Sequence, residues 1–140
     1  MANDVIINKA ATIEKCVARA RQEYNKGAAS FADDFTRQDA AILNIQRACE
    51  ASLDMGHHLI RQHLLGVPQS SKDVFTLLAA ANYIDSDLAT TMKNMVGFRN
   101  IAVHDYQTLQ LPITVSIITK HLDDFLQYSK VLVQLTAADS

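Results

Sequence analysis

The segment from Thr36 to Pro68, TRQDAAILNIQRACEASLDMGHHLIRQHLLGVP, is the longest helical pattern in this 140-residue sequence. Thr36 and Asp39 form a T-x-x-D start, a shorter variant of the capping box, so the helix is expected to begin there. Gly66 and then Pro68 follow in the order expected at a helix end. Apolar or small residues recur at intervals of three and four and predict one buried face, made up of Ile42, Ile45, Cys49, Leu53, Gly56, Ile60 and Leu64.

Four further helices are predicted on either side of this segment, because the same spacing recurs while the alternation typical of β-strands is nearly absent. Their expected starts, in chain order, are Asp4, Ser70, Ser86 and Pro112. The helix that begins at Ser70 is short and the others are long. Such a set with brief connections packs as an antiparallel bundle. The predicted fold class is therefore all-α, with residues 1–140 forming a single helical domain.

Composition limits the possible functions and locations of this chain. It has 13 Lys and Arg against 15 Asp and Glu, so it lacks the basic excess typical of proteins that bind long duplex nucleic acid. No apolar run approaches the ~20 residues of a membrane span, and the N-terminal stretch does not resemble a signal peptide. Cys16 and Cys49 both lie on apolar helix faces, which favours buried reduced thiols. A cytoplasmic location is therefore expected.

The fourth helix departs from its own pattern at Arg99. Its apolar face contains Leu88, Met92 and Met95, and Arg99 is the next position in that series. A buried guanidinium without a partner is costly, so it must reach a carboxylate, a phosphate or an open cleft. Gly97, two residues earlier, leaves room for another backbone to come close. The end of this helix is therefore the candidate functional site.

Three more polar side chains follow Arg99 within seven residues. Asn100 and His104 are four residues apart and share a neighbouring face, and Tyr106 would return to the side of Arg99 if the helix continued. An arginine and a histidine at this spacing are common by chance, so the residues alone leave a structural alternative open.

In the structural alternative, Arg99 forms an ion pair with Glu50 or Asp54 of the second helix. His104 would then be a helix-terminal residue that the helix dipole favours.

Longer stretches of the sequence resemble a known family. The string Met95–Tyr106, MVGFRNIAVHDY, closely resembles the Arg-x4-His-x-Tyr signature of HEPN-domain toxins of the HepT type. Residues 35–50 are similar to the second helix of that family, and residues 66–75 to the turn and helix start that follow it. The resemblance covers most of the chain and holds at every signature position. It implies a HEPN-like bundle.

This resemblance implies a metal-independent endoribonuclease toxin of a toxin–antitoxin pair, with an active cleft at the interface of a homodimer. Arg99 and His104 are the implied catalytic residues, and Asn100 would orient His104 or bind the RNA substrate. Their chemistry fits, because an imidazole exchanges protons near neutral pH and a guanidinium holds a phosphate by a forked contact. Neither a cofactor nor a metal ion is expected.

The family also implies a partner, a minimal nucleotidyltransferase antitoxin that inactivates the toxin by adding AMP to Tyr106. An anionic adenylate beside Arg99 and His104 would occupy the phosphate site and repel RNA. Two other functions stay open on the sequence. One is a non-catalytic HEPN module that binds a nucleotide or its partner in the same cleft, and the other is an assembly subunit in which Arg99 is merely ion-paired.

The histidines late in the second helix are not expected to bind metal. His57, His58 and His63 lack the spacing of four residues that places two imidazoles on one helix face, and no cysteine or paired carboxylate completes a site. A solvated or partner-facing stretch is the expected role of this cluster.

Overall fold

A computed structural model describes the chain from residue 2 to residue 138, with side chains for residues 4–27 and 29–137. Over that range it is helical and contains no β-strand, which confirms the predicted all-α class. The last helix has one π-helical turn in its course, and we number its two α-helical parts separately. The helices are α1 (Ala2–Asn25), α2 (Phe35–Gln62), α3 (Ser71–Ala80), α4 (Ser86–His104), α5 (Leu111–Ser116), the π-helical turn (Ile117–His121) and α6 (Leu122–Ala138).

The predicted set of four long helices and one short helix is confirmed, since backbone angles stay helical from α5 through the π-helical turn into α6. The central helix is α2, which packs against α1, α3, α4 and α6. Pro112 lies in the first turn of α5, where its missing N–H costs nothing. The predicted domain limits, 1–140, reach past the described residues and stay a prediction.

Two of the predicted helix caps are wrong by one or two residues, and α1 begins at Ala2, two residues before the predicted Asp4. The helix α2 is capped by Asp34 instead of Thr36, and α4 by Asp85 instead of Ser86. Each aspartate accepts a hydrogen bond from the main-chain N–H of the third helical residue, at 3.1 and 2.7 Å. A carboxylate at this position also gains from the helix dipole, which is why aspartate caps here. The predicted cap of α3 is confirmed, since the Ser70 hydroxyl accepts the corresponding bond at 3.2 Å.

The end of α2 also differs from the prediction. The helix ends at Gln62, and Leu64 adopts the left-handed backbone conformation (φ 54°) that glycine usually takes after a helix. The main-chain N–H of Leu65 then donates to the carbonyl of Ile60 at 3.0 Å, which closes the helix end as a Schellman motif. Leu64 therefore points into solvent and is not part of the buried face, and Gly66 is not the residue that closes the helix.

The other six residues predicted for the buried face of α2 are buried. At Gly56 this face lies very close to α3 and α6, because a Cβ there would lie 2.5 Å from Val74 Cγ1 and 2.9 Å from Tyr128 Oη. The Tyr128 hydroxyl itself donates to the main-chain carbonyl of Ser52 at 2.8 Å. This part of the core therefore has no spare volume.

Both cysteines are buried and form no disulfide, as predicted. Among residues 2–138, no helix has the length and apolar character needed to cross a membrane.

Candidate active site

Arg99 sits at the end of the buried face of α4. Leu88, Met92 and Met95 are buried as predicted, and Arg99 continues their series as a half-buried side chain. Its Nε is fully buried and has no hydrogen-bond partner among the described residues, while its Nη1 donates to the side-chain carbonyl of Asn100 at 2.8 Å. Asn100 thus holds one terminal nitrogen of the guanidinium, while the Nε–H donor is not used by any described residue.

The ion pair of the structural alternative does not form. Asp54 is paired with Lys9 at 3.0 Å, and Glu50 accepts a hydrogen bond from Gln46 at 3.0 Å. None of the ion pairs formed by the described side chains includes Arg99. Since no carboxylate in the described part of the chain neutralises it, this guanidinium keeps its charge available for an anion from outside the chain.

His104 is the last residue of α4, and its side chain is exposed without a hydrogen-bond partner among the described residues. It lies one helical turn beyond Asn100, on the same face. The side-chain carbonyl of Asn100 is bound to Arg99, so Asn100 holds the arginine and not His104 in this structure. The contact of Asn100 with the RNA substrate stays a prediction. A fixed cation and an open imidazole thus occupy the last two turns of one helix.

Tyr106 does not return to the side of Arg99 by continuing the helix, because α4 ends at His104. It lies in a short 3-10 turn (Tyr106–Thr108), where its phenol donates a hydrogen bond to the side-chain carboxylate of Asp39 on α2. Burial, and then the hydrogen bond and charge of Asp39, raise the pKa of Tyr106 to about 12.

Sequence reasoning missed this contact, since it treated Asp39 as part of a helix cap. The two residues are 67 positions apart, and no local pattern connects them.

The space over Gly97 is occupied by a side chain and not by a second backbone. The nearest described group is the Lys72 ammonium of α3, which would lie 3.6 Å from a Cβ on Gly97. A cavity of about 570 Å³ opens on this side of α4, with Ile101 and His121 in its wall. Neither Arg99 nor His104 lines it, so this cavity is separate from the candidate active site.

No metal site is evident in the described part of the chain, which has no group of three or more His, Cys, Asp or Glu side chains placed to hold an ion. His63 contacts the ring of Tyr83 edge-on at 5.4 Å and shares a hydrogen bond with its hydroxyl. This histidine therefore has a structural role at the end of α2.

An all-α bundle with the Arg-x4-His-x-Tyr segment at the end of its fourth helix agrees with the fold that the resemblance to HEPN toxins implied. The model of the HepT-like family, whose description is "Ribonuclease HepT-like", matches residues 13–132 of this chain. This chain belongs to the HepT-like ribonuclease family. The match confirms both the resemblance of residues 95–106 and the predicted enzyme class, a ribonuclease.

Similar proteins agree with this family. The mRNA nuclease HepT of Shewanella oneidensis is 54% identical over 130 residues, which cover 93% of this chain and 97% of the relative. A crystal structure of a toxin–antitoxin complex with AMP-PNP matches with a TM-score of 0.88 and 53% identity, covering 92% of this chain and 97% of the other. The tri-AMPylated HEPN toxin of Shewanella oneidensis in complex with its MNT antitoxin matches with the same TM-score and identity, covering 92% and 96%.

Proposed function

We propose that this chain is the metal-independent endoribonuclease toxin of a toxin–antitoxin pair, and that Arg99 and His104 act directly on the RNA. The observation that carries this proposal is the half-buried guanidinium of Arg99, which no described carboxylate neutralises, together with the exposed imidazole of His104 five residues later on the same helix. The 54% identical relative is named an mRNA nuclease, which makes mRNA the first substrate to test.

In the proposed reaction, His104 moves the protons. Either it takes, as a base, the proton from a ribose 2′-hydroxyl, which then attacks the adjacent phosphorus, or it protonates, as an acid, the 5′-oxygen that leaves. The product strand would end in a cyclic phosphate. An imidazole without an internal hydrogen-bond partner suits this role, because both of its nitrogens stay open to the substrate.

Arg99 would hold the phosphate whose bond is broken. Its forked donors match two phosphate oxygens, and its charge offsets the negative charge that grows in the transition state. Asn100 supports this role by accepting the hydrogen bond that fixes one side of the guanidinium.

The test compares wild type with His104→Ala for cleavage of labelled mRNA in the presence of EDTA. We expect cleavage to fall by a factor on the order of 100 or more, since that is the usual contribution of a proton-transfer group. His121→Ala is the matched control, because His121 is another exposed histidine whose described partner is Asp124.

Equal cleavage by wild type and His104→Ala would overturn the catalytic assignment. If the unmodified wild type cleaves nothing but binds its partner, the alternative function holds, a non-catalytic nucleotide- or partner-binding module.

The active cleft is proposed to lie between two copies of the chain. Support comes from large apolar side chains that stay exposed near the site, Phe35 (73%) and Leu43 (40%) on α2 and Val103 (48%) on α4. Leu43 lies one helical turn after Asp39, which contacts Tyr106, so α2 and α4 present these side chains beside the site. Exposed apolar residues grouped in this way are typical of subunit interfaces.

A charged side chain among these exposed apolar residues of α2 and α4 tests whether the chain forms the proposed dimer. Val103→Glu should shift the protein to the monomer in sedimentation equilibrium and lower RNA cleavage with it, because each cleft needs both copies. Ile7→Glu is the control, since Ile7 is a comparably exposed apolar residue on α1. A monomeric wild type that cleaves RNA would contradict the shared cleft.

The proposed partner is a nucleotidyltransferase antitoxin that adds AMP to Tyr106. The solved relative that is tri-AMPylated and bound to an MNT antitoxin supports this, as does the exposed position of Tyr106 two residues after His104. An adenylate there, two residues after His104, would bring negative charge to the end of α4 and repel RNA. Intact mass after co-expression with the transferase should show added AMP units on wild type and none on Tyr106→Phe. The cytoplasmic location stays a prediction.

A further inference from the structure

The contact between Tyr106 and Asp39 is the most specific interaction near the site that nuclease chemistry leaves unexplained. The phenol donates to Asp39 Oδ1, and both side chains are exposed, so a partner enzyme can reach the pair. Asp39 forms no ion pair with any described residue, and its negative charge is therefore not neutralised. A free carboxylate in direct contact with a phenolic proton is placed to accept that proton.

The chemistry of an adenylyl acceptor requires such a group. A neutral phenol is a weak nucleophile, and it must lose its proton as its oxygen bonds to phosphorus. Because the pKa of Tyr106 is raised to about 12, almost none of this phenol is ionised near neutral pH. The reaction therefore needs a base within hydrogen-bonding distance of Tyr106 Oη.

Other polar groups near Tyr106 are engaged elsewhere or make no contact with its phenol. The Asp105 carboxylate accepts a hydrogen bond from the side chain of Gln107 at 2.6 Å. No hydrogen bond joins His104 to Tyr106 among the described residues. Asp39 is the one described side chain that is hydrogen-bonded to the phenol.

We propose that Asp39 is the general base of the adenylylation of Tyr106, so that the toxin itself supplies the base for its own inactivation. This inference rests on the proposed modification of Tyr106. In the reaction, Tyr106 Oη forms a bond to the α-phosphorus of a nucleoside triphosphate held by the transferase. The bond from that phosphorus to the bridging oxygen breaks, pyrophosphate leaves with the electron pair, and the phenolic proton passes to Asp39 Oδ1.

The experiment measures the initial rate of AMP addition by intact mass, with purified toxin, the partner transferase and ATP. Asp39→Asn should lower this rate by a factor on the order of 100 or more, the usual effect of losing a positioned base. The matched control is Asp33→Asn, because Asp33 is an exposed aspartate just before α2 that makes no described side-chain contact. Thermal unfolding of both variants checks that they remain folded.

A pH profile separates a base from a merely structural residue. The rate of Asp39→Asn should rise steadily with pH as the phenolate forms, whereas the wild-type rate should be nearly flat around neutral pH. Affinity for the transferase should be the same for both proteins. A weaker complex with an unchanged maximal rate would overturn the proposal and make Asp39 a docking residue.

The outcomes also distinguish this inference from the proposed function. If wild type gains no AMP, or Tyr106→Phe gains as much as wild type, the proposed modification of Tyr106 fails. If wild type is modified at Tyr106 and Asp39→Asn is modified equally fast, only the role of Asp39 fails.

Discussion

The thiol of Cys49 donates a hydrogen bond to the main-chain carbonyl of Met95 at 3.4 Å, and this contact fixes the middle of α2 to α4 one turn before Arg99. Burial raises the pKa of the Cys49 thiol, and the nearby charge of Arg99 lowers it by a smaller amount. The thiol therefore stays protonated and can donate. The arginine that we assign to phosphate binding thus lies one turn beyond a buried contact between two long helices.

Cys49 should not react with an alkylating reagent at neutral pH in the native protein, because only the thiolate is reactive and burial disfavours it. Burial also raises the pKa of the Cys16 thiol, so it should behave in the same way. Peptide mass spectrometry with and without denaturant checks this. Rapid native labelling of Cys49 would show that the packing under Arg99 opens.

Arg99→Lys should lower RNA cleavage by a factor on the order of 100 while leaving the melting temperature nearly unchanged. Lysine keeps the charge but lacks the planar fork that can bind Asn100 and a phosphate together. Arg19→Lys on α1, an exposed arginine far from the site in sequence, provides the control. Full activity of Arg99→Lys would mean that a positive charge alone, without the planar fork, is sufficient for the role of this residue in RNA cleavage.

Gly56→Ala and Gly97→Ala should have opposite effects on stability. At Gly56 the new methyl group would overlap Val74 and Tyr128, so we expect a loss of about 1–3 kcal/mol in the free energy of unfolding. At Gly97 it would meet only the Lys72 side chain at 3.6 Å, and alanine should stabilise α4 by about 0.5–1 kcal/mol. Denaturant unfolding measures both, and a stabilising Gly56→Ala would contradict the packing.

Tyr106 should titrate about two pH units above an ordinary tyrosine, since its pKa is raised from 10.0 to about 12. Asp39→Asn should lower it, because the carboxylate charge opposes ionisation of the phenol. The folded state holds this proton more tightly than the unfolded chain does. Its contribution to stability is therefore complete below about pH 10 and is lost as the pH rises towards about 12.

The absorbance of phenolate in wild type minus that in Tyr106→Phe isolates this titration from the other tyrosines. A midpoint that Asp39→Asn leaves unchanged would show that the contact is absent in solution.

The cap of α4 provides a test of the corrected helix start. Asp85→Ala should cost about 1 kcal/mol of stability, the usual effect of losing an N-cap side chain. Ser86→Ala should be nearly neutral, because the Ser86 side chain does not cap this helix. Thermal or denaturant unfolding compares the two, and a larger loss at Ser86 would restore the original sequence-based prediction.

The sequence by itself determined the bundle and the candidate segment. Spacings of three and four, visible in α2 from Ile42 to Ile60, depend only on the geometry of one helix and the preference of apolar side chains for the interior. Arg99 was conspicuous for the same reason, because it interrupts an apolar series within one helix. The signature around it, read as a resemblance, was sufficient to indicate the family.

Local sequence patterns predicted the ends of the helices less accurately than the helices themselves. Asp34 competes with Thr36, and Asp85 with Ser86, for the same free N–H groups, and adjacent residues of similar capping ability cannot be ranked without backbone angles. The spacing pattern placed Leu64 on the buried face of α2, because nothing in the local sequence shows that its backbone adopts the left-handed conformation.

Only the tertiary structure decided which side chains meet across the helices. Among the described residues it gave Arg99 no carboxylate partner, since Glu50 and Asp54 have other partners, and it brought Asp39 to Tyr106. Contacts of this kind depend on how α2 and α4 are rotated and offset against each other. That arrangement follows from the packing of the whole core, including the close approach at Gly56, and no single stretch of sequence contains it.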